Sequence, residues 1–205
     1  MGKLHERIDD RLRSFIEAQP VFFTATAPLS GDGHVNLSPK GRAGTLVVID
    51  EERLAYLDFG GSGAETIAHV RENGRITLMW CAFSGPPNIV RIHGDGEAVF
   101  RDDPRWAELI GLFADADGPG ARAIILVRAR RIADVCGYAV PLMEYQASAR
   151  STRSSWAARR TRSSPRTARR RTSSRRVSTA CLRCPCPFRR VRSDMCCVPF
   201  SSPAH

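Results

Sequence analysis

The fold of this chain is decided by residues 54–80, which read LAYLDFGGSGAETIAHVRENGRITLMW. Residues 54–59 are apolar or aromatic and predict a strand, and the glycines of residues 60–63 predict a tight turn after it. Residues 64–73 have apolar side chains at helical spacing and end before a glycine, which is typical of a helix. Residues 75–83 return to strand character. The stretch therefore predicts a strand, a glycine-rich turn, a short helix and a second strand.

Short strands and turns also dominate the sequence on either side of this stretch. The hydrophobic pattern predicts helices at residues 6–18 and 105–113, and strands at residues 21–27, 35–37, 46–50, 89–100 and 123–132. Residues 38–41 are expected to interrupt the second of these strands, Gly94 and Gly96 predict a bulge, and residues 133–145 are expected to be irregular or to form an edge. Hairpins dominate and long crossover helices are missing. Six or seven mostly antiparallel strands with short flanking helices therefore predict a mainly β, closed or half-closed barrel.

Charge is divided unequally along the chain. Residues 1–146 carry 16 Lys and Arg against 20 Asp and Glu, whereas residues 147–205 carry 15 Arg, no Lys and one acid, Asp194. The net charge of +10 therefore comes entirely from the second segment. That segment contains no Gly, Ile or Tyr and lacks the apolar periodicity that a second core requires. We predict one folded domain at residues 1–146 and an Arg/Ser-rich tail at residues 147–205.

Several protein classes are excluded by the sequence pattern. No run approaches the ~18 consecutive apolar residues of a membrane span, and the N-terminus lacks the apolar core of a signal peptide, which predicts a cytoplasmic protein. Cys81 and Cys136 are too few for a disulfide framework in the predicted domain. The spacing of His34, His69 and His93 does not match a metal site. Without a Gly-x-Ser-x-Gly elbow or a Ser/His/Asp arrangement, a hydrolase is not expected either.

Residues 56–73 place a glycine-rich turn between a strand and the start of a helix. Free backbone N–H groups and the helix dipole make such a start an anion site, which favours a phosphate-bearing ligand. A purely structural interpretation stays open beside it. In that interpretation Ser62 and Glu65 form a capping box, and the glycines only turn the chain.

Two pairs of polar residues outside this stretch also allow two interpretations each. Lys40 and Arg42 follow Pro39 on an exposed path, so they either project toward a ligand or are solvated surface charges. Arg91 and His93 alternate onto one strand face. There they either meet a ligand or partner subunit or form a hydrogen-bonded structural pair.

Five segments together carry a resemblance to a known family. They are residues 32–41, 54–58, 61–69, 72–79 and 136–141, which read DGHVNLSPKG, LAYLD, GSGAETIAH, ENGRITLM and CGYAVP. From Leu4 to Tyr145 the chain resembles the pyridoxamine 5′-phosphate oxidase-like proteins, which have an FMN-binding split β-barrel. The resemblance implies a homodimer with FMN in the groove between subunits, acting as an oxidoreductase on an unknown small molecule. Hydride transfer belongs to the flavin, so no catalytic side chain is expected.

The resemblance also implies which residues bind the cofactor. Near the phosphate it places Lys40, Ser62, Thr66 and Arg75, and near the ribityl chain or ring it places Asn36 and Ser38. Where well-studied oxidases have Ser-Arg-Lys at the helix start, this chain has Ala64-Glu65-Thr66. That change removes two cations and adds an acid, which weakens the expected contact with phosphate. Binding of another cofactor, such as haem or a deazaflavin, or of none therefore stays open, and oxidation of vitamin B6 is not expected.

The tail after Gln146 departs from what the resemblance implies. Relatives are expected to continue with an acid-containing helical segment, whereas this tail is rich in Arg, Ser, Pro and Cys, as an out-of-frame reading of a GC-rich gene would be. We interpret the tail as frameshifted or disordered. An authentic arginine-rich arm that binds nucleic acid without sequence preference is the alternative. A zinc site is not expected, because Pro185 and Pro187 crowd the Cys-x-x-Cys-x-Cys group.

Overall fold

The computed structural model describes residues 2–60, 63–114 and 120–148. Within these residues the chain forms eight strands and three helices. In chain order they are β1 (Lys3–His5), α1 (Asp10–Ala18), β2 (Phe22–Thr26), β3 (Asn36–Lys40), β4 (Leu46–Val48), β5 (Arg53–Phe59), α2 (Glu65–Asn73), β6 (Arg75–Cys81), β7 (Ile89–Phe100), α3 (Trp106–Ile110) and β8 (Ala121–Val135).

The strands form one antiparallel sheet that curls into a half-barrel. Its strand order is β3-β2-β6-β7-β8-β5-β4, with β1 paired to β8. The two ends of this path, β3 and β4, are not hydrogen-bonded to each other in the described part of the chain, so the barrel is split along one side. The predicted antiparallel split β-barrel with short helices is confirmed. The short β1 strand was not predicted and brings the number of strands to eight.

An aromatic cluster fills the inside of the half-barrel. The ring of Phe22 lies 5.6 Å from that of Trp80 and 5.4 Å from that of Tyr56, and all three side chains are buried. Helix α1 adds Leu12 and Ile16 from its one apolar face. Burial of this apolar surface is the main force that holds the curled sheet together.

Strand β3 runs through the segment that was predicted to interrupt it. Pro39 pairs with Phe23 of β2. A proline is tolerated there because β3 is an edge strand, whose outer N–H groups have no partner strand to reach. Asn36, Ser38 and Lys40 therefore alternate onto one face of a regular strand, and the prediction of an interruption at residues 38–41 was wrong.

The predicted bulge is present where β7 pairs with β8 at His93 and Gly94, and the extra residue is Arg130 of β8. A side chain at Gly94 would place its Cβ 2.2 Å from the carbonyl oxygen of Arg128, so only glycine fits between β7 and β8.

The ends of the helices and strands differ more from the predicted ends. Helix α1 begins at Asp10 because Asp9 caps it, with its carboxylate accepting from the Leu12 N–H at 2.8 Å.

Strand β8 is longer than predicted. Residues 133–135, expected to be irregular or to form an edge, continue the strand because β7 and β1 both pair with them. In contrast, the helix predicted at residues 105–113 shortens to Trp106–Ile110. The extension of β8 arises from pairing partners that are distant in sequence.

Two negative findings apply to the described residues. None of their helices is long and apolar enough to cross a membrane. No group of three or more His, Cys, Asp or Glu among them is placed to hold a metal ion. The tail, residues 147–205, lies outside the described residues apart from Ala147 and Ser148, so the domain boundary and the nature of the tail stay predictions.

Candidate functional site

A cavity of about 340 Å³ lies at the split of the barrel, between β3, β5, β8 and the start of α2. Its described lining is polar and charged, with one aromatic ring: Asn36, Ser38, Lys40, Asp58, Phe59, Gly63, Ala64, Glu65, Thr66 and Arg122. Four of the six residues predicted to bind a cofactor are among them, namely Asn36, Ser38, Lys40 and Thr66. We call this space the split cavity.

Asp58 is the most buried charged group of the split cavity, with its side chain 3% exposed. One carboxylate oxygen lies 3.6 Å from Nζ of Lys40, and the other accepts a hydrogen bond from Nε of Arg122 at 2.6 Å. Arg122 also donates from Nη2 to the carbonyl oxygen of Gly63 at 2.7 Å. A single carboxylate thus links edge strand β3, strands β5 and β8, and, through Arg122, the turn before α2.

A β-bulge directs Arg122 to this position. Leu57 pairs with Ile124 and Asp58 with Ala123, but the next residue of β5, Phe59, pairs with Ala121. Arg122 is therefore the extra residue on β8. A bulge increases the local twist and turns a side chain away from the regular alternation, which here places a guanidinium against Asp58.

Sequence reasoning missed both Asp58 and Arg122 as site residues. Asp58 gave a usable signal, because it is the one charged residue within the apolar stretch at residues 54–59. Arg122 gave none, since its direction depends on the pairing of two strands that lie 64 residues apart.

The amide of Asn36 organises the wall of the split cavity. Its Nδ2 group donates to Oγ1 of Thr66 at 2.9 Å and to Oγ1 of Thr26 at 3.3 Å. Its Oδ1 accepts from the Ser38 hydroxyl at 3.0 Å. Both amide donors of Asn36 are therefore used within the protein, so Asn36 positions Thr66 and Ser38 rather than offering a free donor to a ligand.

Tyr56 is a buried, uncharged side chain close to these groups. Its hydroxyl lies 3.3 Å from Oγ1 of Thr24, and the Lys40 ammonium lies 6.0 Å from the centre of its ring. Burial raises the pKa of Tyr56 well above its usual range, and the nearby carboxylate of Asp58 raises it further. The phenol therefore keeps its proton at neutral pH, so Tyr56 does not serve as an anionic base.

The start of α2 faces the same cavity. Its N-cap is Ala64, and no side chain of the described residues caps the helix start. The alternative of a capping box with Ser62 as N-cap is therefore wrong, and Ser62 itself lies outside the described residues. A side chain at Gly63 would place its Cβ 2.1 Å from a carboxylate oxygen of Glu65. The Glu65 carboxylate therefore lies close to Gly63 at the start of α2, beside first-turn N–H groups that no side chain of the described residues caps.

Arg75 lies in a different place from the other predicted residues. It donates from Nη2 to the Pro28 carbonyl oxygen at 3.2 Å and from Nε to Oδ1 of Asn73 at 3.4 Å. It lines a second cavity of about 550 Å³, the outer cavity, with His93, Asp95 and others on β6, β7 and β8. The structure does not bring Arg75 to the split cavity.

The remaining polar residues singled out in the sequence have defined contacts. Arg42 lies over the ring of Phe59 at 4.7 Å, next to the split cavity. His93 forms a hydrogen bond with Thr77, with Nδ1 3.0 Å from Oγ1, rather than with Arg91. Burial lowers the pKa of His93, and the charges of the nearby arginines lower it further.

Comparison with known proteins assigns the family. The sequence profile described as pyridoxamine 5′-phosphate oxidase matches residues 8–136, more than half of the chain. The chain belongs to this family. A pyridoxamine 5′-phosphate oxidase family protein from Aspergillus flavus, ustO, is 39% identical over 145 residues, which are 70% of this chain. The chain spans 58% of the length of that relative.

Solved structures with a similar fold were also found. A crystal structure of tagged HupZ from Group A Streptococcus superposes with a TM-score of 0.51 at 17% identity, covering 62% of this chain and 99% of that one. An FMN-binding protein from Syntrophomonas wolfei superposes with a TM-score of 0.46 at 16% identity, covering 60% and 82%. The HupZ likeness shows the fold alone, whereas the profile match and the Aspergillus flavus relative confirm the resemblance found in the sequence.

Proposed function

We propose that this chain binds FMN in the split cavity and acts as an oxidoreductase on a small molecule. One observation carries the proposal: two cations from separate strands, Lys40 and Arg122, converge with the start of α2 on a single cavity. Cations and free backbone N–H groups at a helix start are the donors that a phosphate ester requires.

The residues of the cavity fit the phosphorylated end of such a cofactor. Arg122 uses Nε and one Nη2 hydrogen within the protein, and the guanidinium has five N–H groups, so donors remain for a ligand. Lys40 and the hydroxyl of Thr66 add to the donor set. When bound, FMN would supply hydride transfer. The protein would hold the phosphate, orient the ligand against Phe59 and limit access of water.

The lining also distinguishes between the cofactors left open by the sequence. Haem iron is held by His, Cys, Met or Tyr, and the described lining of the split cavity holds none of these side chains. A phosphate-bearing cofactor matches the cations better. Titration with FMN, a deazaflavin and haem in turn separates the three.

Absorption and fluorescence of the purified full chain test the proposal. We expect a yellow protein, or a colourless one that takes up added FMN with quenching of the flavin fluorescence. Riboflavin, which lacks the phosphate, should bind more weakly than FMN because it cannot use Lys40, Arg122 and the start of α2. A protein that binds neither, or that binds riboflavin as tightly as FMN, contradicts the proposal.

A second copy of the chain is the proposed partner that covers the site. The split cavity lies along edge strand β3. Leu37, on the opposite face of this strand from Asn36, Ser38 and Lys40, is 64% exposed, and Val35 just before the strand, which lines the outer cavity, is 72% exposed. Exposed apolar side chains on an unpaired edge strand favour association. Light scattering should give a mass near twice 22.6 kDa, and a monomer at micromolar concentration would contradict the homodimer.

We further propose that the protein works in the cytoplasm. Cys81 and Cys136 are both free thiols, which accords with a reducing compartment. Fractionation of cells that express the chain at its natural level, with detection in the cytosolic fraction, tests this location.

A further inference from the structure

Asp58 is a buried carboxylate that holds the two cations of the split cavity. It follows the buried apolar residues 54–57 on β5, and its own side chain is 3% exposed. Burying a carboxylate is costly unless cations compensate it, and often no better for stability than an apolar residue. The cost is met by Lys40 and Arg122, the two cations that line the split cavity.

The same two cations are the groups that an anionic ligand needs. In the described lining they are balanced by two carboxylates, those of Asp58 and Glu65, so the formal charges cancel. A ligand phosphate must therefore share donors that Asp58 already holds. Each further negative charge on the ligand meets the field of Asp58 at short range, and the described lining holds no cation besides Lys40 and Arg122 to offset it.

We propose that Asp58 is a specificity-determining counter-anion, which lets the cavity accept a phosphate monoester and excludes polyphosphates. The inference rests on the proposed function for the identity of the ligand. Asp58 sets this preference by its negative charge and by holding Lys40 and Arg122 in place. Compounds with a diphosphate or triphosphate carry more charge than the site can compensate, so they bind weakly in spite of their stronger general attraction to cations.

The charge-removing variant Asp58→Asn tests this inference. Asparagine has nearly the shape of aspartate and can still accept from Nε of Arg122, so the cavity keeps its form. Affinities for inorganic phosphate and for pyrophosphate are measured from the rise of Tm with ligand concentration, at several salt concentrations. Asp32→Asn is the matched control, because it removes the same charge from an exposed loop.

We expect pyrophosphate to bind D58N about tenfold more tightly than the natural protein, with a smaller gain of about threefold for phosphate and a steeper salt dependence. The control D32N should change neither affinity. The double variant K40M/D58N restores the charge balance and should lose the gain for pyrophosphate. Equal changes in D58N and D32N, or weaker pyrophosphate binding by D58N, would overturn the inference.

A measurement on the natural protein keeps the inference testable if D58N folds poorly. The natural chain should bind pyrophosphate no more tightly than phosphate, and a preference of about tenfold for pyrophosphate would contradict the role of Asp58. These probes contain no flavin, so the outcome is separate from the proposed function. If the chain does not bind FMN but D58N gains affinity for pyrophosphate, the proposed function is contradicted and the inference stands. If the chain binds FMN but D58N gains no affinity for pyrophosphate, the proposed function stands and the inference is contradicted.

Discussion

The split cavity and the outer cavity differ in how their charges are held. In the split cavity, Asp58 is buried and joins Lys40 and Arg122 from strands far apart in sequence. In the outer cavity, Arg130 pairs with Asp95 on the neighbouring strand, with 71% and 42% of their side chains exposed. Exposed pairs contribute little to stability, whereas a buried charge that loses its partner is costly. The arrangement of the charges, not their number, is therefore what supports the proposal of a ligand site in the split cavity.

The largest expected effect comes from removing Arg122. Arg122→Met leaves the carboxylate of Asp58 buried with one distant partner, Lys40. We expect the free energy of unfolding to fall by about 2–3 kcal/mol, the low side of the range for a broken buried pair because the guanidinium is partly exposed. Urea unfolding followed by tryptophan fluorescence measures it.

Arg130→Met provides the matched control for that change. It removes an arginine from the same strand, but the partner, Asp95, is exposed. We expect the free energy of unfolding to change little, because an exposed ion pair contributes little to stability. If R122M and R130M lose equal free energy of unfolding, the two cavities hold their charges in the same way, which would contradict the difference described above.

Removing Lys40 should affect binding more than stability. In Lys40→Met, Asp58 keeps its hydrogen bond from Arg122, and the lost ammonium was 3.6 Å away. We expect the affinity for FMN to fall about tenfold through the loss of one charge-assisted contact, with little change for riboflavin. Fluorescence titration of both ligands measures this, and a parallel loss for riboflavin would point to a damaged fold instead of a lost phosphate contact.

Sequence reasoning recovered the fold better than the site. The strands around residues 54–80 follow from local pattern, and the bulge at Gly94 follows from glycine in a strand. The resemblance implies that Arg75 and Lys40 both lie near the phosphate, but in the structure Lys40 lines the split cavity and Arg75 lines the outer cavity. Which side of the sheet a residue faces depends on strand pairing, register and bulges. Those features are set by partners distant in the sequence.

Arg75→Met should have almost no effect on cofactor binding, in contrast to Lys40→Met. The guanidinium contacts Pro28 and Asn73, and it does not line the split cavity. We expect an affinity for FMN within about twofold of the natural protein, since no charge-assisted contact is lost. A loss as large as that of K40M would show that the ligand extends from one cavity to the other, and the prediction that Arg75 lies near the phosphate would be confirmed.

The smallest expected effect is a pH dependence that belongs to the outer cavity. Burial lowers the pKa of His93 below its ordinary value of 6.5, and the charges of Arg131 and Arg91 lower it further. The folded state therefore binds the proton less readily than the unfolded state. The contribution of neutral His93 to stability is complete above the pKa of the unfolded state and is lost as the pH falls through the pKa of the folded state.

His93→Asn removes the titration, and its side chain can keep a hydrogen bond to Thr77. Between about pH 7.5 and about pH 5.5 the natural protein should lose more stability than H93N, by less than about 1 kcal/mol because His93 is half-buried. Urea unfolding at several pH values measures the difference, and identical pH profiles would show that the outer cavity does not hold His93 in its neutral form.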